Sequence, residues 1–446
     1  MTSRVPHTGA DSAGDPYTPD RGNGGYEVTS YYLDLRYRVP SNNLRALAAI
    51  SVRATQPLDK LTLDLVGLSV SKVMVGGRRA KRFTVRRGKL AISLPARLEA
   101  GTSVTLEITY GGNPTPARST WGILGWEELN DGVLVASQPT GAPTWFPCND
   151  HPASKASYRF QITTDSPYTV VANGKLVSHH ASGSMATWVY QQDEPMASYL
   201  ATVYIARVPW TAVESGASTV RQTAVVPLNL NKAFAHDFGR QHEMMALFER
   251  LFGPYPFAEY RVLVTDDELE IPLESQGMST FGRNHVDGRS GSDRLIAHEL
   301  AHQWFGNSVG LASWQHIWLN EGFACYCEWL WAEYAGHDTA DALARRYHRR
   351  LSSSKQDLLL GDPGPQDMFD DRVYKRGALT LHALRLQVGD AGFFDLIREW
   401  CQRHALSTVT TALFVDLVRT RLGDHAADAL HPWLFETNLP ALPRRA

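Results

Sequence analysis

Residues 294–306, R-L-I-A-H-E-L-A-H-Q-W-F-G, constrain the fold of this 446-residue chain most strongly. Their apolar side chains recur with a helical period and cover most sides of the segment, so the sequence predicts a buried helix. Ser292 and Asp293 suit its start, and Gly306 suits its end. Such a helix belongs in the core of a folded domain, and the composition agrees, because 43% of the residues are hydrophobic and 10% are aromatic.

His298 and His302 lie four residues apart, so their side chains project from one face of this helix about one turn apart. Two neutral imidazoles satisfy two of the four positions around a zinc ion. Glu321 follows His302 after a gap of eighteen residues, near the start of a second apolar helix predicted for residues 320–335, and is the natural third ligand. The fourth position then stays open for water. Two histidines on an apolar helix also occur as ordinary core residues, and the N-E-G sequence at residues 320–322 favours the metal site.

Glu299 is rotated about 100° from the two histidines. We expect it to take the proton of the attacking water and pass it to the leaving amine, in amide hydrolysis without a covalent intermediate. A structural metal site is disfavoured, because such sites close the fourth position with Cys or His. Glu328 lies seven residues after Glu321, two turns along the same helical face. It is predicted to bond the free nitrogen of a ligating histidine, and a surface glutamate is the alternative.

Charge and cysteine content exclude several other classes. Lys and Arg number 44 and Asp and Glu number 46, so the net charge of −2 recruits neither nucleic acid nor an anionic membrane. No apolar run is long enough for a membrane span or a signal peptide. The four cysteines are too few and too scattered for a disulfide framework, which favours a cytoplasmic location. The sequence leaves a homo-oligomer open.

Three regions differ in pattern, and together they predict an α+β multidomain protein. Residues 1–25 are rich in Gly, Pro, Ser and Asp and predict a flexible leader. Residues 26–212 consist of short alternating segments between turn residues, which predicts an antiparallel β domain with a hairpin-type turn at Asn173-Gly174. Residues 213–446 predict a mixed α/β domain that is mostly helical.

Four motifs together resemble those of a known enzyme family. They are A-H-E-L-A-H-Q-W-F at 297–305, N-E-G-F-A at 320–324, F-P-C-N-D at 146–150 and Y-K-R-G-A at 374–378. The sequence resembles the gluzincin metallo-aminopeptidases, the aminopeptidase N family that includes the leukotriene hydrolase branch. The resemblance implies an N-terminal β-saddle domain, a thermolysin-like catalytic domain with one zinc ion per chain, and release of N-terminal amino acids from peptides with a free N-terminus. Typical members carry a large C-terminal helical domain, and this chain ends before one, so we expect a more open site or one covered by a partner subunit.

The resemblance also implies which residue selects a free amino terminus. In relatives a G-x-M-E-N segment supplies a glutamate to the ammonium of the substrate, and I-P-L-E-S at residues 271–275 is its counterpart. Glu274 would be that anion, since a desolvated ammonium needs a paired carboxylate. Ile271, Leu273 and Ser275 replace the Gly, Met and Asn of relatives, so the shape of the first pocket is expected to differ.

Two further roles come from the same resemblance. Gln138 falls where many relatives place a second glutamate or glutamine near the substrate amine, and an exposed loop glutamine is the alternative. Tyr374 matches the tyrosine whose hydroxyl bonds the developing oxyanion, and a core tyrosine is the alternative. Two other functions stay open: a thermolysin-like endopeptidase with an open cleft, and a non-catalytic scaffold that keeps the fold. The presence of both Glu299 and Tyr374 disfavours the scaffold.

Overall fold

The computed structural model describes residues 7–213 and 219–444. It divides into two compact units, Met1–Pro209 and Trp210–Ala446. The first unit is built of strands and the second is mostly helical, which confirms the predicted α+β class. None of the helices in these two stretches combines the length and the apolar character that a membrane span requires.

The strands of the first unit form three sheets. One has eight strands in the order β14-β15-β12-β1-β2-β8-β4-β5, one has three in the order β3-β7-β6, and one has five in the order β13-β16-β11-β10-β9. The bounds are β1 (Tyr26–Arg38), β2 (Asn43–Ala54), β3 (Leu58–Asp64), β4 (Ser69–Val75), β5 (Arg78–Arg79), β6 (Arg82–Arg86), β7 (Lys89–Leu98), β8 (Ser103–Gly112), β9 (Ala117–Ser119), β10 (Gly122–Leu129), β11 (Gly132–Ala136), β12 (Lys155–Asp165), β13 (Thr169–Ala172), β14 (Lys175–Ser182), β15 (Met185–Ala197) and β16 (Val203–Ala206).

Strand β1 shows how the alternating pattern places side chains. Tyr26 and Val28 are buried, and after a register shift between Val28 and Ser30 the buried positions move to the odd residues from Tyr31 onward. The shift inserts one unpaired residue and resets the two-residue period. Strand β1 pairs with β2 in antiparallel fashion but with β12 in parallel, which differs from the purely antiparallel prediction. A parallel pair needs a long crossover, and here the chain between β1 and β12 provides it.

The hairpin expected at Asn173-Gly174 is not formed, and that prediction is wrong. Strand β13 before the turn pairs with β16, whereas β14 after it pairs with β15 in a different sheet. Gly174 has φ of 84°, and a Cβ there would lie 2.1 Å from the carbonyl oxygen of Gln191. The dipeptide therefore marks a turn. Because β13 pairs with β16 while β14 pairs with β15, the strand that follows it, the two strands join different sheets.

The composition predicts a flexible leader for residues 1–25. Residues 1–6 lie outside the described residues, and residues 7–25 are packed against the rest of the first unit. The backbone N–H of Gly9 donates to the carbonyl of Lys60 at 3.0 Å, and Nδ2 of Asn23 donates to Asp64 at 2.8 Å. Asp15 and Tyr17 are buried. The segment is held by specific polar contacts rather than by a periodic apolar face, so its composition does not reveal the packing.

The second unit combines one four-stranded sheet, in the order β17-β18-β19-β20, with nine helices among the residues described. A two-stranded parallel pair, β21 and β22, lies outside that sheet. The bounds are β17 (Trp210–Ala212), β18 (Arg221–Val225), α1 (Asn231–Asp237), α2 (Gln241–Phe252), β19 (Glu259–Val264), β20 (Met278–Phe281), α3 (Asp293–Ala301), β21 (Gly310–Leu311), α4 (Trp318–Tyr334), α5 (Ala340–Ser352), α6 (Asp371–Arg403), β22 (Thr408–Val409), α7 (Thr411–Leu422), α8 (Asp424–Asp428) and α9 (His431–Phe435). Helix α6 is interrupted at Gly389, whose φ and ψ are not helical.

Two features of this unit position the site. Helix α3 ends at Ala301 and not at Gly306 as predicted, because the chain turns out of the helix at His302 and the backbone N–H of Asn307 bonds the carbonyl of His302 at 3.0 Å. Helices α4 and α6 meet at two glycines, where a Cβ on Gly322 would lie 2.8 Å from the Cα of Gly377. This close approach sets the distance between the two helices.

Candidate active site

Three buried side chains converge in the second unit. His298 and His302 come from the end of α3, Glu321 comes from the first turn of α4, and one ligand atom of each lies within 4.8 Å of the others. Nε2 of His298 lies 3.5 Å, and Nε2 of His302 lies 3.4 Å, from the same Oε2 of Glu321. The structure therefore brings together the three residues that the spacing predicts as metal ligands.

The second nitrogen of each imidazole is already engaged. Nδ1 of His298 lies 2.8 Å from Oε1 of Glu328, and Nδ1 of His302 lies 3.0 Å from the carbonyl oxygen of Phe305. A carbonyl only accepts, so Nδ1 of His302 is the donor, and in the neutral imidazole that binds a metal its Nε2 carries the lone pair. The contact with the carboxylate of Glu328 sets the same tautomer in His298. Both Nε2 atoms are thereby directed to a cation beside Glu321.

The electrostatics of the cluster also favour a cation. Burial lowers the pKa of His302, but the charge of Glu321 outweighs this and raises that pKa to about 10. Burial raises the pKa of Glu321, but the charge of His302 and the hydrogen bonds of both histidines bring it down to about 2. The cluster thus holds positive charge tightly. Two imidazoles and one carboxylate are a donor set of catalytic zinc sites, so the residues present fit zinc.

Glu299 lies between the two histidines in sequence and is 4% exposed. Its Oε2 atom is buried and has no hydrogen-bond partner among the residues that the structure describes. Burial raises the pKa of Glu299 to about 8; the charge of His298 opposes this rise, and the charge of Glu274 adds to it. A buried carboxyl group with one unused oxygen is placed to exchange a proton with a group bound at the metal cluster.

Glu274 and Tyr374 are both half-buried, unlike the metal ligands. Burial raises the pKa of Glu274, and the charges of His302 and Glu321 act on it in opposite directions, which places this carboxylate in the field of the cluster. The ring of Tyr374 stacks on that of His298, with 5.9 Å between centroids. Burial, and then the charge of Glu321, raise the pKa of Tyr374 well above its usual range, so its hydroxyl keeps its proton and remains a donor.

Glu328 is buried at 3% exposure, so the alternative of a surface glutamate does not apply. Its Oε1 also accepts from Nη1 of Arg294 at 3.0 Å, and Nζ of Lys375 lies 3.7 Å from its Oε2. Burial raises the pKa of Glu328, but the hydrogen bond with His298 and the charge of Lys375 outweigh it, so the pKa falls below its usual value. The sequence analysis does not identify Arg294 or Lys375 as partners of Glu328. The signal that pointed to one of them is the position of Lys375 directly after Tyr374.

Gln138 belongs to the first unit, directly after β11, and it is partly exposed. Its Nε2 atom is buried without a hydrogen-bond partner among the described residues. Its role toward a substrate amine stays a prediction.

Comparisons with known proteins agree with this geometry. The model of the Peptidase M1 N-terminal domain matches residues 27–200, and that of the Peptidase family M1 domain matches residues 236–433. An M1 zinc metallopeptidase from Deinococcus radiodurans is 31% identical with a TM-score of 0.89, over 98% of this chain and 100% of that one. A mutant of it has been solved with a Tyr-Ser-Ala substrate. Yeast LTA4 hydrolase, at 22% identity and a TM-score of 0.81, shares the fold.

Curated relatives are more distant and longer. Leucyl aminopeptidase of Saccharolobus solfataricus is 23% identical over 93% of this chain and 54% of its own length. Human endoplasmic reticulum aminopeptidase 1 is 25% identical over 80% of this chain and 41% of its own length. The chain therefore spans about half, or less, of the length of these relatives. A strand-rich unit followed by a helical unit with a His-His-Glu zinc cluster is the architecture of a two-domain zinc metallopeptidase. The chain belongs to the peptidase M1 family, whose members are zinc metallopeptidases, and the cluster of His298, His302 and Glu321 is compatible with zinc binding.

Proposed function

We propose that this chain is a zinc-dependent aminopeptidase that releases N-terminal amino acids from peptides with a free N-terminus. The observation that carries the proposal is the position of Glu274, a half-buried residue outside the three-residue cluster, whose carbonyl accepts from Nδ2 of Asn307 at 2.8 Å while the N–H of Asn307 bonds the carbonyl of His302 at 3.0 Å. A carboxylate there pairs with the ammonium of a substrate and so restricts cleavage to the first peptide bond. The names of the curated relatives, which are aminopeptidases, support the same activity.

Zinc, when bound, supplies Lewis-acid activation of the carbonyl and lowers the pKa of water. Glu299 takes the proton from the attacking water through its unpartnered Oε2 and delivers it to the leaving amine. Tyr374 donates its hydroxyl proton in a hydrogen bond to the oxygen on which negative charge develops. Glu274 holds the ammonium.

The direct test compares blocked and free substrates. Zinc-loaded protein is assayed on a panel of aminoacyl arylamides and peptides, each with a free or an acetylated amine, with and without a chelator. We expect cleavage only of the free-amine set, lost with the chelator and restored by zinc. Continued cleavage of acetylated peptides at internal bonds would indicate the endopeptidase instead, and no cleavage of any substrate would indicate the scaffold.

The role of Glu299 has its own test. In Glu299→Gln we expect turnover to fall to near zero while zinc stays bound, because the amide keeps the shape of the side chain and cannot accept the proton. Glu243→Gln is the matched control, since Glu243 on α2 forms a partly exposed ion pair with Arg240. Unchanged turnover in Glu299→Gln would remove this residue from the mechanism. The cytoplasmic location, the homo-oligomer and the lack of a nucleic-acid partner stay predictions.

A further inference from the structure

Glu274 lies in a short segment that folds back on itself. The backbone N–H of Leu273 donates to the carbonyl of Thr280 at 2.9 Å, and the N–H of Thr280 donates back to Leu273 at 2.9 Å. The N–H of Met278 closes the turn by donating to the carbonyl of Ser275 at 3.0 Å. Glu274 therefore stands at the entrance to a tight turn, where the backbone of the turn decides the direction of its carboxylate.

Two buried amide side chains, those of Gln303 and Asn307, hydrogen-bond to this turn, and both residues come after helix α3 in the chain. Oε1 of Gln303 accepts from the N–H of Gly277 at 2.8 Å, and its Nε2 donates to the carbonyl of Ser275 at 3.2 Å. Nδ2 of Asn307 donates to the carbonyl of Glu274 itself at 2.8 Å. Gln303 and Asn307 are both 0% exposed. Three hydrogen bonds therefore connect the turn to the chain that leaves α3.

That chain is itself continuous with a metal ligand. Gln303 directly follows His302, and the N–H of Gln303 bonds the carbonyl of Leu300 in the last turn of α3 at 3.1 Å. The N–H of Asn307 bonds the carbonyl of His302 at 3.0 Å. The same short stretch of backbone therefore positions one zinc ligand and, through two side chains, the carboxylate of Glu274.

We infer that Gln303 and Asn307 are positioning residues, which fix the distance between the zinc site and the carboxylate that receives the substrate ammonium. The inference rests on the function proposed for Glu274. In a peptide with a free N-terminus, the amine and the carbonyl of the first peptide bond belong to the same residue, so the distance between them is fixed. The distance between the zinc site and the carboxylate of Glu274 must match it. If the carboxylate of Glu274 is displaced, it no longer meets the ammonium when the carbonyl lies at the zinc site, so part of the binding energy of the substrate is lost.

A purely structural role predicts a different result from a positioning role, so the test needs more than a stability measurement. Gln303→Met keeps the length and bulk of the side chain and removes both hydrogen bonds. We expect KM for free-amine substrates to rise roughly tenfold with a smaller change in kcat, as for lost ammonium binding. Inhibition by acetohydroxamate, which binds zinc but has no α-amine, should change by less than about twofold, since the zinc ligands are untouched.

Two further variants guard against loss of folding. Gln303→Glu keeps an acceptor for Gly277 and loses the donor to Ser275, so we expect a smaller rise in KM than in Gln303→Met. Gln241→Met is the matched control, since Gln241 is 1% exposed and its amide donates to Gln222 at 2.8 Å rather than to the turn after Glu274. It should lower stability without changing KM. An equal rise in KM in Gln241→Met would overturn the inference.

A double-mutant cycle of Gln303→Met with Glu274→Gln tests the positioning role of Gln303 separately from the proposed role of Glu274. If Gln303 acts through Glu274, Gln303→Met raises KM in the wild type but not in the Glu274→Gln background. If Gln303→Met raises KM by the same factor in the wild type and in Glu274→Gln, the positioning role is overturned and the proposed role of Glu274 remains intact. If Glu274→Gln alone leaves KM for free-amine substrates unchanged, the proposed role of Glu274 fails and the positioning role fails with it.

Discussion

Nδ1 of His298 lies 2.8 Å from Oε1 of Glu328, thirty residues further along the chain. The carboxylate stands between this imidazole and two cations, Arg294 and Lys375, which keep it ionised in a buried position. An ionised acceptor holds the proton of His298 on Nδ1 and makes its Nε2 a stronger ligand. We therefore propose that the affinity of this cluster for zinc depends on charges that are not themselves ligands.

Replacing Glu328 by Gln removes that charge and keeps the shape of the side chain. We expect zinc affinity to fall by about 10- to 100-fold, because a neutral acceptor supports the imidazole less well. Competition with a chromophoric chelator measures the change. Glu243→Gln, on a partly exposed ion pair, should bind zinc as the wild type does. Equal affinities in the two variants would contradict this role of Glu328.

Tyr374→Phe removes the hydroxyl and leaves the ring stacked on His298. The hydroxyl acts on charge that develops only in the transition state, so we expect kcat to fall by about 100-fold or more with little change in KM. Steady-state kinetics on one free-amine arylamide is sufficient. Tyr334→Phe is the control, since Tyr334 is 47% exposed. A rise in KM at unchanged kcat would instead place Tyr374 in ground-state binding.

Gly377→Ala tests the contact between α4 and α6. The added Cβ would lie 2.6 Å from the Cα of Gly322, next to the zinc ligand Glu321, so the helices must separate. We expect a loss of about 1–3 kcal/mol in the free energy of unfolding, together with reduced turnover, because Glu321 and Tyr374 lie on opposite sides of this contact. Gly392→Ala on the same helix meets nothing closer than 3.6 Å and should be tolerated. Equal stability of both variants would show that the close approach is not required.

Asp150 in the first unit predicts a pH dependence of stability. Burial, and then the charge of Asp64, raise its pKa from 3.8 to about 7. A group that binds its proton more tightly in the folded chain contributes stability below its unfolded pKa, and this contribution is lost as pH rises through the folded pKa. Asp150→Asn should therefore be more stable than the wild type by about 2–4 kcal/mol at pH 8, and by less at pH 5. Urea denaturation at both pH values measures the difference, and an equal difference at both would contradict the assignment.

Local patterns in the sequence predicted much of this molecule. The helical period around His298 places two imidazoles on one face, and alternation in β1 identifies its buried side up to the register shift at Val28. Both depend on residues near each other in the chain. Glu321 was predicted because the spacing of a third ligand is constrained by the helices that carry it.

Other contacts join residues far apart in sequence, and no local pattern reports them. The guanidinium of Arg376 donates to the carbonyls of Trp433 and Thr437 at 2.9 and 2.8 Å, and nothing around Arg376 in the sequence indicates these partners. The two hydrogen bonds between the amide of Gln303 and the backbone of the turn after Glu274 belong to the same class. Nearly every residue offers a backbone carbonyl and N–H, so a side chain that bonds to the backbone does not require any particular residue type as its partner. The sequence of the partner segment therefore does not indicate such a contact.

Zinc bound by His298, His302 and Glu321 is the central claim, and anomalous diffraction across the zinc absorption edge tests it most directly. We predict one strong peak per chain, about 2.0–2.2 Å from Nε2 of each histidine and from a carboxylate oxygen of Glu321. The peak should be absent from crystals of Glu321→Ala grown under the same conditions. A wild-type crystal grown with zinc that shows no peak at this position, or a peak that persists in Glu321→Ala, would contradict the account.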